Sequence, residues 1–268
     1  MMRAPAPAKI NLALVVGPHR SDGRHELVTV YQRVALSDLV AVERANELRV
    51  EGFRDDTLVR RALEVAADGS SFSARIKKRI PVAAGLGGGS SDAASALRLA
   101  NALRESPLGD AALHEAAREL GADVPYFLRD GPQLGAGDGT QLTPLELPQD
   151  YWVVLVVPKG AVKTSTGDVY AAFDARGGAD GYDERRGRLL EALANVRRSR
   201  DLAGLPANDL CSSPLARELV ELGAFRADVS GAGPTVYGLF VHGERARAAQ
   251  RSMSRAGRTW LTAPAWYR

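Results

Sequence analysis

PVAAGLGGGSSDAA, which occupies residues 81–94, is the most informative segment of this 268-residue chain. It lies between a strand-like segment, FSARIKKRI, and a helix-like segment rich in alanine and leucine. Four glycines in five positions leave backbone N–H groups unobstructed by Cβ atoms, and two serines follow where the helix begins. A helix N-terminus also offers unpaired N–H groups and the positive end of the helix dipole, so the segment predicts a cradle for a phosphate chain.

Three other interpretations of this loop fit the sequence less well. A flexible linker or an ordinary helix start is disfavoured by the apolar flanks and by the helical pattern that follows at once. A P-loop requires a lysine directly after the last glycine, and none is present. A dinucleotide-binding loop requires a parallel βαβ unit with an acidic residue about 20 positions later, where Arg104 and Glu105 stand at a predicted helix end.

The segments around the loop combine strand and helix patterns without a regular βαβ repeat, which predicts an α+β fold. The N-terminal part predicts a strand hairpin over residues 10–36, helices over 57–68, 92–103 and 110–120, and weak structure over 121–139. The C-terminal part predicts a buried strand over 151–158, helices over 166–173, 182–195, 214–222 and 244–256, and strands over 227–229, 236–241 and 259–261. A proline-containing polar stretch near Gln149 predicts a boundary between domains of residues 1–148 and 149–268.

Composition excludes several classes of protein. The 35 lysines and arginines against 32 acidic residues give a net charge of +3, without the sustained basic stripe of a polynucleotide binder. The one cysteine, Cys211, rules out an internal disulfide. The N-terminus does not resemble a signal peptide, and no apolar run reaches the roughly 18 residues of a membrane span. We therefore expect a cytoplasmic protein that binds neither nucleic acid nor a membrane.

The glycine-rich loop resembles the phosphate-binding motif of the GHMP kinase superfamily. Three further segments extend the resemblance over nearly the whole chain: APAKINLAL at residues 6–14, LGADVPYFL at 120–128 and SGAGPTVYGLF at 230–240. The resemblance implies a two-domain fold, with a ribosomal-protein-like N-terminal α/β domain and a C-terminal α/β-sandwich-like domain. Within the superfamily, these segments resemble the branch that phosphorylates the 2-hydroxyl of a diphosphocytidyl-linked methylerythritol in the non-mevalonate isoprenoid pathway.

The resemblance also implies roles for particular residues. Lys9 and Asp123 would be catalytic, with Lys9 stabilising the transferring charge and Asp123 accepting or orienting the acceptor hydroxyl. Substrate contacts would come from Asn11, Thr166 and the Arg24–His25 pair, although the family usually has a base-stacking tyrosine where this chain has Arg24. The ATP phosphates would lie against Pro81, Val82, Ala83, Ala84, Gly85, Leu86, Gly87, Gly88, Gly89, Ser90 and Ser91.

On the nucleotide side, two more positions depart from the family pattern: Thr57 replaces an asparagine near the adenine, and GDGT at residues 137–140 replaces G-x-G-E.

ATP and Mg²⁺ are the implied cofactors, and no acidic cluster in the sequence marks protein ligands for the metal. The partner would be a small-molecule substrate, and the expected assembly is a monomer or weak homodimer. Two alternatives stay open: another small-alcohol kinase of the homoserine or mevalonate type, and, more remotely, a non-catalytic RNA-binding protein.

Overall fold

Two β-sheets organise the chain. The computed structural model describes residues 1–53, 57–161 and 165–265, with only the backbone of Thr57. The first sheet has the strand order β3-β4-β2-β5-β6, with β1 paired to β2, and the second has the order β10-β7-β9-β8. The strands are β1 (Met2–His19), β2 (His25–Ala45), β3 (Arg49–Glu51), β4 (Ser71–Lys77), β5 (Gln133–Gly137), β6 (Gln141–Pro144), β7 (Trp152–Pro158), β8 (Arg226–Val229), β9 (Val236–Phe240) and β10 (Gly257–Thr262).

Helices cover these sheets and provide the rest of the core. α1, α2, α3 and α4 pack their apolar residues on the first sheet, and α7 and α8 pack on the second. A further apolar cluster contains residues of both sheets, so the core is continuous between them. The helices are α1 (Thr57–Ala66), α2 (Gly88–Ala102), α3 (Asp110–Leu120), α4 (Val124–Leu128), α5 (Thr166–Ala175), α6 (Tyr182–Ala194), α7 (Pro214–Glu221) and α8 (Gly243–Met253), with a 3₁₀ helix at Ser199–Gly204.

The antiparallel pair of β1 and β2 forms the centre of the molecule. Side chains of β1 are buried on both faces of the strand over residues 6–17, because the first sheet's helices cover one face and elements of the C-terminal half cover the other. The register between the two strands shifts at Pro7/Ala8 and again at Asn11/Ala13. Bulges of this kind change the direction of neighbouring side chains. Both shifts flank the short segment that carries Lys9 and Asn11.

Arg226 connects the two sheets. Its buried guanidinium donates hydrogen bonds to the carbonyl oxygen of Leu12 in β1 at 2.6 Å and to that of Pro206 at 2.8 Å. It also donates to the carbonyl oxygens of Leu202 and Leu205. A buried cation surrounded by carbonyl dipoles in this way is well satisfied, so the strand bearing Lys9 is fixed to the second sheet.

Most predicted elements are present, and two predictions need correction. α2 begins at Gly88 rather than Asp92, because Gly87 adopts the left-handed conformation from which the helix can start among the glycines. The prediction of weak structure over 121–139 is wrong: this segment contains α4 and β5. Pro125 is compatible with the first turn of α4, where no N–H donor is needed. The proposed boundary between residues 148 and 149 stays a prediction.

Within the described ranges, no helix is long and apolar enough to cross a membrane.

Candidate active site

The glycine-rich loop forms a compact turn ahead of α2. Gly85 and Gly87 have positive φ angles of 76° and 68°, a region that favours glycine. A Cβ atom on Gly85 would lie 2.4 Å from the carbonyl oxygen of Ser230, and one on Gly87 would lie 3.0 Å from both Lys9 Cγ and Phe127 Cζ. These two glycines are therefore required by close packing as well as by backbone conformation.

Three hydrogen bonds hold this loop against the rest of the site. The backbone N–H of Lys9 donates to the carbonyl of Leu86 at 2.9 Å, and the Ser230 hydroxyl donates to the carbonyl of Gly85 at 2.9 Å. The N–H of Thr235 donates to the carbonyl of Ala84 at 3.2 Å. The SGAGPT turn of the C-terminal half thus supports the loop from one side and β1 supports it from the other.

Lys9 is buried and has polar partners. Its Nζ donates to Asn11 Oδ1 at 2.7 Å, Asn11 Nδ2 donates to Thr29 Oγ1 at 2.8 Å, and that hydroxyl donates to the carbonyl of Ala13 at 2.7 Å. The ammonium also lies 5.6 Å from the centre of the Tyr31 ring. This chain of hydrogen bonds fixes the position of a cation that would otherwise be costly to bury.

Asp123 lies opposite Lys9 at the start of α4. Its Oδ2 atom is 3.8 Å from Lys9 Nζ, and the Tyr31 hydroxyl donates to its Oδ1 atom at 3.2 Å. Burial and the Asp123 carboxylate raise the pKa of Tyr31 well above its ordinary value of 10, so Tyr31 stays a hydrogen-bond donor at neutral pH. One carboxylate oxygen is therefore held by Tyr31, and the other faces Lys9.

Two adjacent cavities meet at the loop. The larger, of about 410 Å³, contains the side chains of Lys9, Asn11, Tyr31 and Asp123. The smaller, of about 220 Å³, has apolar walls from Phe53, Leu58 and Val82. Four loop residues line both cavities: Ala83, Gly85, Gly87 and Ser90. Ligands in the two cavities would therefore meet across the loop, next to Lys9 and Asp123.

The other predicted phosphate-loop residues divide into two groups. Pro81, Val82, Ala84, Leu86, Gly88 and Gly89 line the smaller cavity. Ser91 is fully buried, its N–H donates to the carbonyl of Gly87 at 2.9 Å, and its hydroxyl has no hydrogen-bond partner among the described residues. The Ser90 hydroxyl, not that of Ser91, is thus the one available to a ligand.

Lys78 lines the smaller cavity and supports the loop there. Its Nζ donates at 2.6 Å to both Asp38 of β2 and Asp92 of α2, two carboxylates that are fully buried. The backbone N–H groups of Arg79 and Ile80 donate to the other oxygen of Asp38. Burial lowers the pKa of Lys78, but the two carboxylates outweigh it and leave the pKa raised. Lys78 therefore stays charged and joins β2, β4 and α2.

Of the predicted substrate contacts, Asn11 and Thr166 line the larger cavity, whereas Arg24 and His25 lie beside it. The Arg24 guanidinium is exposed and donates to Asp138 at 2.6 Å, and Asp138 itself lines the cavity. His25 is buried with its ring stacked on Tyr170, 5.0 Å between centroids, and Tyr170 lines the cavity. Their effects on a ligand would thus be transmitted through Asp138 and Tyr170.

The oxygen donors that face the cleft fit a Mg²⁺ ion. Ser90 and Asp123 both line the larger cavity, and both offer the hard oxygen ligands that Mg²⁺ prefers. Mg²⁺ is commonly held by one or two such side chains together with phosphate oxygens, so a dedicated acidic cluster is not needed.

Sequence reasoning missed Tyr31, Lys78, Asp138 and Tyr170. Tyr31 and Tyr170 look like ordinary apolar positions of a strand and a helix, and Lys78 looks like part of a surface KKR run. A signal for Tyr31 was present in its i, i+2 spacing from Thr29, which places both hydroxyls on one face of β2. The Thr57 departure concerns a side chain outside the described part of the structure.

Comparisons with known proteins agree with this geometry. Family models match the GHMP kinases N terminal domain over residues 57–131 and the GHMP kinases C terminal domain over residues 212–259. A 4-diphosphocytidyl-2-C-methyl-D-erythritol kinase of Pelobacter propionicus is 37% identical, over 97% of this chain and 96% of its own length. A protein of the same name from Kineococcus radiotolerans is 38% identical, over 87% of this chain and 79% of its own length.

A solved structure gives the same result. The crystal structure of a 4-(cytidine 5'-diphospho)-2C-methyl-D-erythritol kinase superposes with a TM-score of 0.80 at 32% identity, covering 99% of this chain and 100% of that one. The predicted two-domain α+β fold is thereby confirmed. Taken with the glycine-rich loop and the Lys9–Asp123 pair beside it, these matches show that the chain belongs to the 4-diphosphocytidyl-2-C-methyl-D-erythritol kinase family of GHMP kinases.

Proposed function

We propose that this protein transfers the γ-phosphoryl group of ATP to the 2-hydroxyl of 4-diphosphocytidyl-2-C-methyl-D-erythritol, releasing ADP. One observation carries the proposal: a phosphate-cradling loop is shared by two cavities, and the Lys9–Asp123 pair lies at their junction. A donor phosphate chain and an acceptor alcohol can approach each other at that junction, as phosphoryl transfer requires.

On the donor side, the triphosphate would lie along the loop at the start of α2. Backbone N–H groups, the Ser90 hydroxyl and the positive end of the helix dipole all favour negative charge there. The apolar side chains of Phe53, Leu58 and Val82 would face the base. Bound with ATP near Ser90, Mg²⁺ would neutralise charge on the phosphate oxygens.

On the acceptor side, Asp123 and Lys9 would have different roles. Asp123 Oδ2, left free by the Tyr31 bond to Oδ1, would accept a hydrogen bond from the 2-hydroxyl, hold it towards the phosphorus and take up its proton. The fixed ammonium of Lys9 would stabilise charge on the attacking oxygen and on the transferring group. Because the transition state of phosphoryl transfer is loose, catalysis would rest mainly on positioning and charge stabilisation by these residues.

The other residues that line the larger cavity suit the polyol, diphosphate and cytosine parts of this acceptor. Asn11 and Thr166 offer hydrogen bonds to the polyol and diphosphate, while the Tyr170 ring, supported by His25, offers an apolar face to the cytosine. Asp138, oriented by Arg24, can accept a hydrogen bond from an exocyclic amino group. These contacts, the Mg²⁺ ion, a cytoplasmic location and a monomeric or weakly dimeric state all stay predictions.

The test is ADP release with Mg-ATP and one of three acceptors: diphosphocytidyl methylerythritol, homoserine or mevalonate. We expect turnover only with the cytidyl acceptor. Asp123→Asn should lower kcat by about 10²- to 10⁴-fold, the usual contribution of a positioned acid–base group. Asp183→Asn, an exposed aspartate in the first turn of α6, serves as the matched control and should leave kcat unchanged.

Two results would contradict the proposal. Turnover with homoserine or mevalonate in place of the cytidyl acceptor would keep the kinase chemistry but reject the substrate. Absence of ADP release with every acceptor, in protein whose circular dichroism shows it folded, would reject the kinase reaction itself.

A further inference from the structure

Two histidines and a carboxylate come together at one end of the β1–β2 hairpin. His19 ends β1, His25 begins β2 opposite it, and Asp174 lies in the last turn of α5. The Nε2 atom of His19 is 3.2 Å from Asp174 Oδ2, and the Nε2 atom of His25 is 3.3 Å from Asp174 Oδ1. His25 is buried, whereas His19 and Asp174 are open to solvent. The cluster therefore combines a fixed ligand with an entry path.

The hydrogen bonding of His25 places two acceptor atoms opposite each other in this cluster. Its Nδ1 atom is 2.8 Å from the carbonyl oxygen of Gly17, and because a carbonyl can only accept, Nδ1 carries a hydrogen and donates it. In a neutral imidazole, Nε2 is then a bare lone pair. That lone pair faces a carboxylate oxygen that also only accepts. The two repel each other unless a cation, either a proton or a metal ion, lies between them.

The spacing of the three ligand atoms suits a metal ion. Bonds of about 2.0–2.1 Å to nitrogen and oxygen in a tetrahedral site separate neighbouring ligand atoms by about 3.3 Å. The imidazoles meet different oxygens of Asp174, at 3.2 Å for His19 and 3.3 Å for His25, and one ligand atom from each of the three residues lies within 4.8 Å of the others. Small side-chain rotations would therefore bring all three to the spacing of one site. The Nδ1–H···O=C bond from His25 to Gly17 is also the outer-shell contact that commonly orients a metal-binding histidine.

We propose that His19, His25 and Asp174 form a binding site for a divalent transition metal of the Zn²⁺ class. Two imidazoles and one carboxylate suit Zn²⁺, Co²⁺ or Ni²⁺, whereas Mg²⁺ prefers an all-oxygen environment. Three protein ligands leave one coordination position for water. The site lies on the far side of Tyr170 from the larger cavity and is separate from the Lys9–Asp123 pair.

Occupation of the site has a consequence for the reaction. The metal would join the hairpin to α5, whose first residue, Thr166, lines the larger cavity, and would fix His25 beneath Tyr170. We expect Zn²⁺ to act on the Michaelis constant of the cytidyl acceptor and not on that of ATP. This second step rests on the proposed function, whereas the binding site itself does not.

The first experiment measures metal binding in the absence of ATP and acceptor. Chelator-treated protein is titrated with ZnCl₂ by calorimetry and with CoCl₂ by visible absorption, which is intense only for tetrahedral Co²⁺. We expect one ion per chain. His19→Ala and Asp174→Asn, both at exposed positions that should not disturb folding, should each weaken binding at least about tenfold. His242→Ala, at an exposed histidine before α8, is the matched control and should bind as the unmodified chain does.

The outcomes separate this site from the kinase reaction. Absence of one-to-one Zn²⁺ binding, or binding that Asp174→Asn leaves unchanged, would overturn the metal site without touching the kinase assignment. Metal binding that disappears in His19→Ala and Asp174→Asn but not in His242→Ala supports it. In the kinase assay, Zn²⁺ should lower the Michaelis constant of the cytidyl acceptor for the unmodified chain and not for Asp174→Asn, because the ion fixes His25 beneath Tyr170.

Discussion

The Tyr31 hydroxyl holds one oxygen of Asp123 and so leaves the other to face Lys9. Tyr31→Phe removes this bond but keeps the ring beside Lys9. A hydrogen bond to a charged group contributes about 1.5–3 kcal/mol, so we expect kcat to fall by about 10- to 100-fold. Steady-state kinetics with the cytidyl acceptor checks this expectation.

Tyr151→Phe is the control for Tyr31→Phe. Tyr151 is buried outside the cleft, and its hydroxyl has no hydrogen-bond partner in the described part of the chain. The same chemical change there should leave kcat as it is. Equal losses of kcat in both variants would show that the Tyr31 hydroxyl has no special role in holding Asp123.

At the scale of elements, the loop before α2 depends on how closely the C-terminal turn approaches it. Gly85→Ala would place a methyl group 2.4 Å from the Ser230 carbonyl oxygen and 2.7 Å from that of Gly233, at a φ of 76°. Because two backbone groups would have to move, we expect loss of ATP binding by at least about tenfold. Titration with a fluorescent ATP analogue measures this loss.

Gly187→Ala is the matched control for the loop. Gly187 lies in α6, it lines neither cavity, its φ is not positive, and its Cβ would meet no atom within 4 Å. Alanine also favours a helix over glycine, so the variant should be as stable as the unmodified chain or more stable, with ATP binding kept. ATP binding that falls equally in both variants would mean that the close approach at Gly85 is not the cause of the loss.

Lys78 is the junction of β2, β4 and α2. Lys78→Met leaves the buried carboxylates of Asp38 and Asp92 without their common cation, and breaking a buried ion pair from one side costs about 3–5 kcal/mol. We expect the free energy of unfolding, measured by urea denaturation, to fall by that amount. Lys77→Met, at the exposed preceding position, should change it by less than about 0.5 kcal/mol. Equal stabilities of the two variants would contradict the role given to Lys78.

At the scale of the whole molecule, buried tyrosines determine behaviour in alkali. Burial raises the pKa values of Tyr31, Tyr126, Tyr151 and Tyr237 above their ordinary value of 10. Above pH 10 the unfolded chain releases protons that the folded chain retains, so rising pH favours unfolding. Each such tyrosine removes about 1.4 kcal/mol of stability per pH unit in that range. Urea denaturation between pH 9 and 11 should show this steep loss.

Tyr151→Phe tests the origin of that loss. The variant should reduce the slope above pH 10 by about 1.4 kcal/mol per unit. Below pH 9 it should be at least as stable as the unmodified chain, because it removes a buried hydroxyl without a partner. A slope that Tyr151→Phe leaves unchanged would assign the alkaline loss to other groups.

The parts of the candidate site that could be predicted from the sequence are those whose signal lies within a few neighbouring residues. The glycine-rich loop, Lys9 in its strand and Asp123 before a proline-started turn all carry their signal in a few neighbouring residues. Tyr31 and Lys78 carry no such local signal. The partner of Tyr31 lies 92 positions away, and the two partners of Lys78 lie 40 and 14 positions away, so only the folded sheet and helix bring them close. Arg24 likewise pairs with Asp138, 114 positions later, which local sequence does not indicate, and its contact with a base stays a prediction.

The Arg226 contact has a consequence for the order in which the enzyme is made. The guanidinium partner of the Leu12 carbonyl leaves the ribosome 214 residues after it. Until translation passes residue 226, the strand that carries Lys9 lacks the arginine that joins it to the second sheet. Contacts so distant in sequence form slowly, because a long loop must close first. The strand that carries Lys9 can thus reach its final surroundings only after β8 has been synthesised.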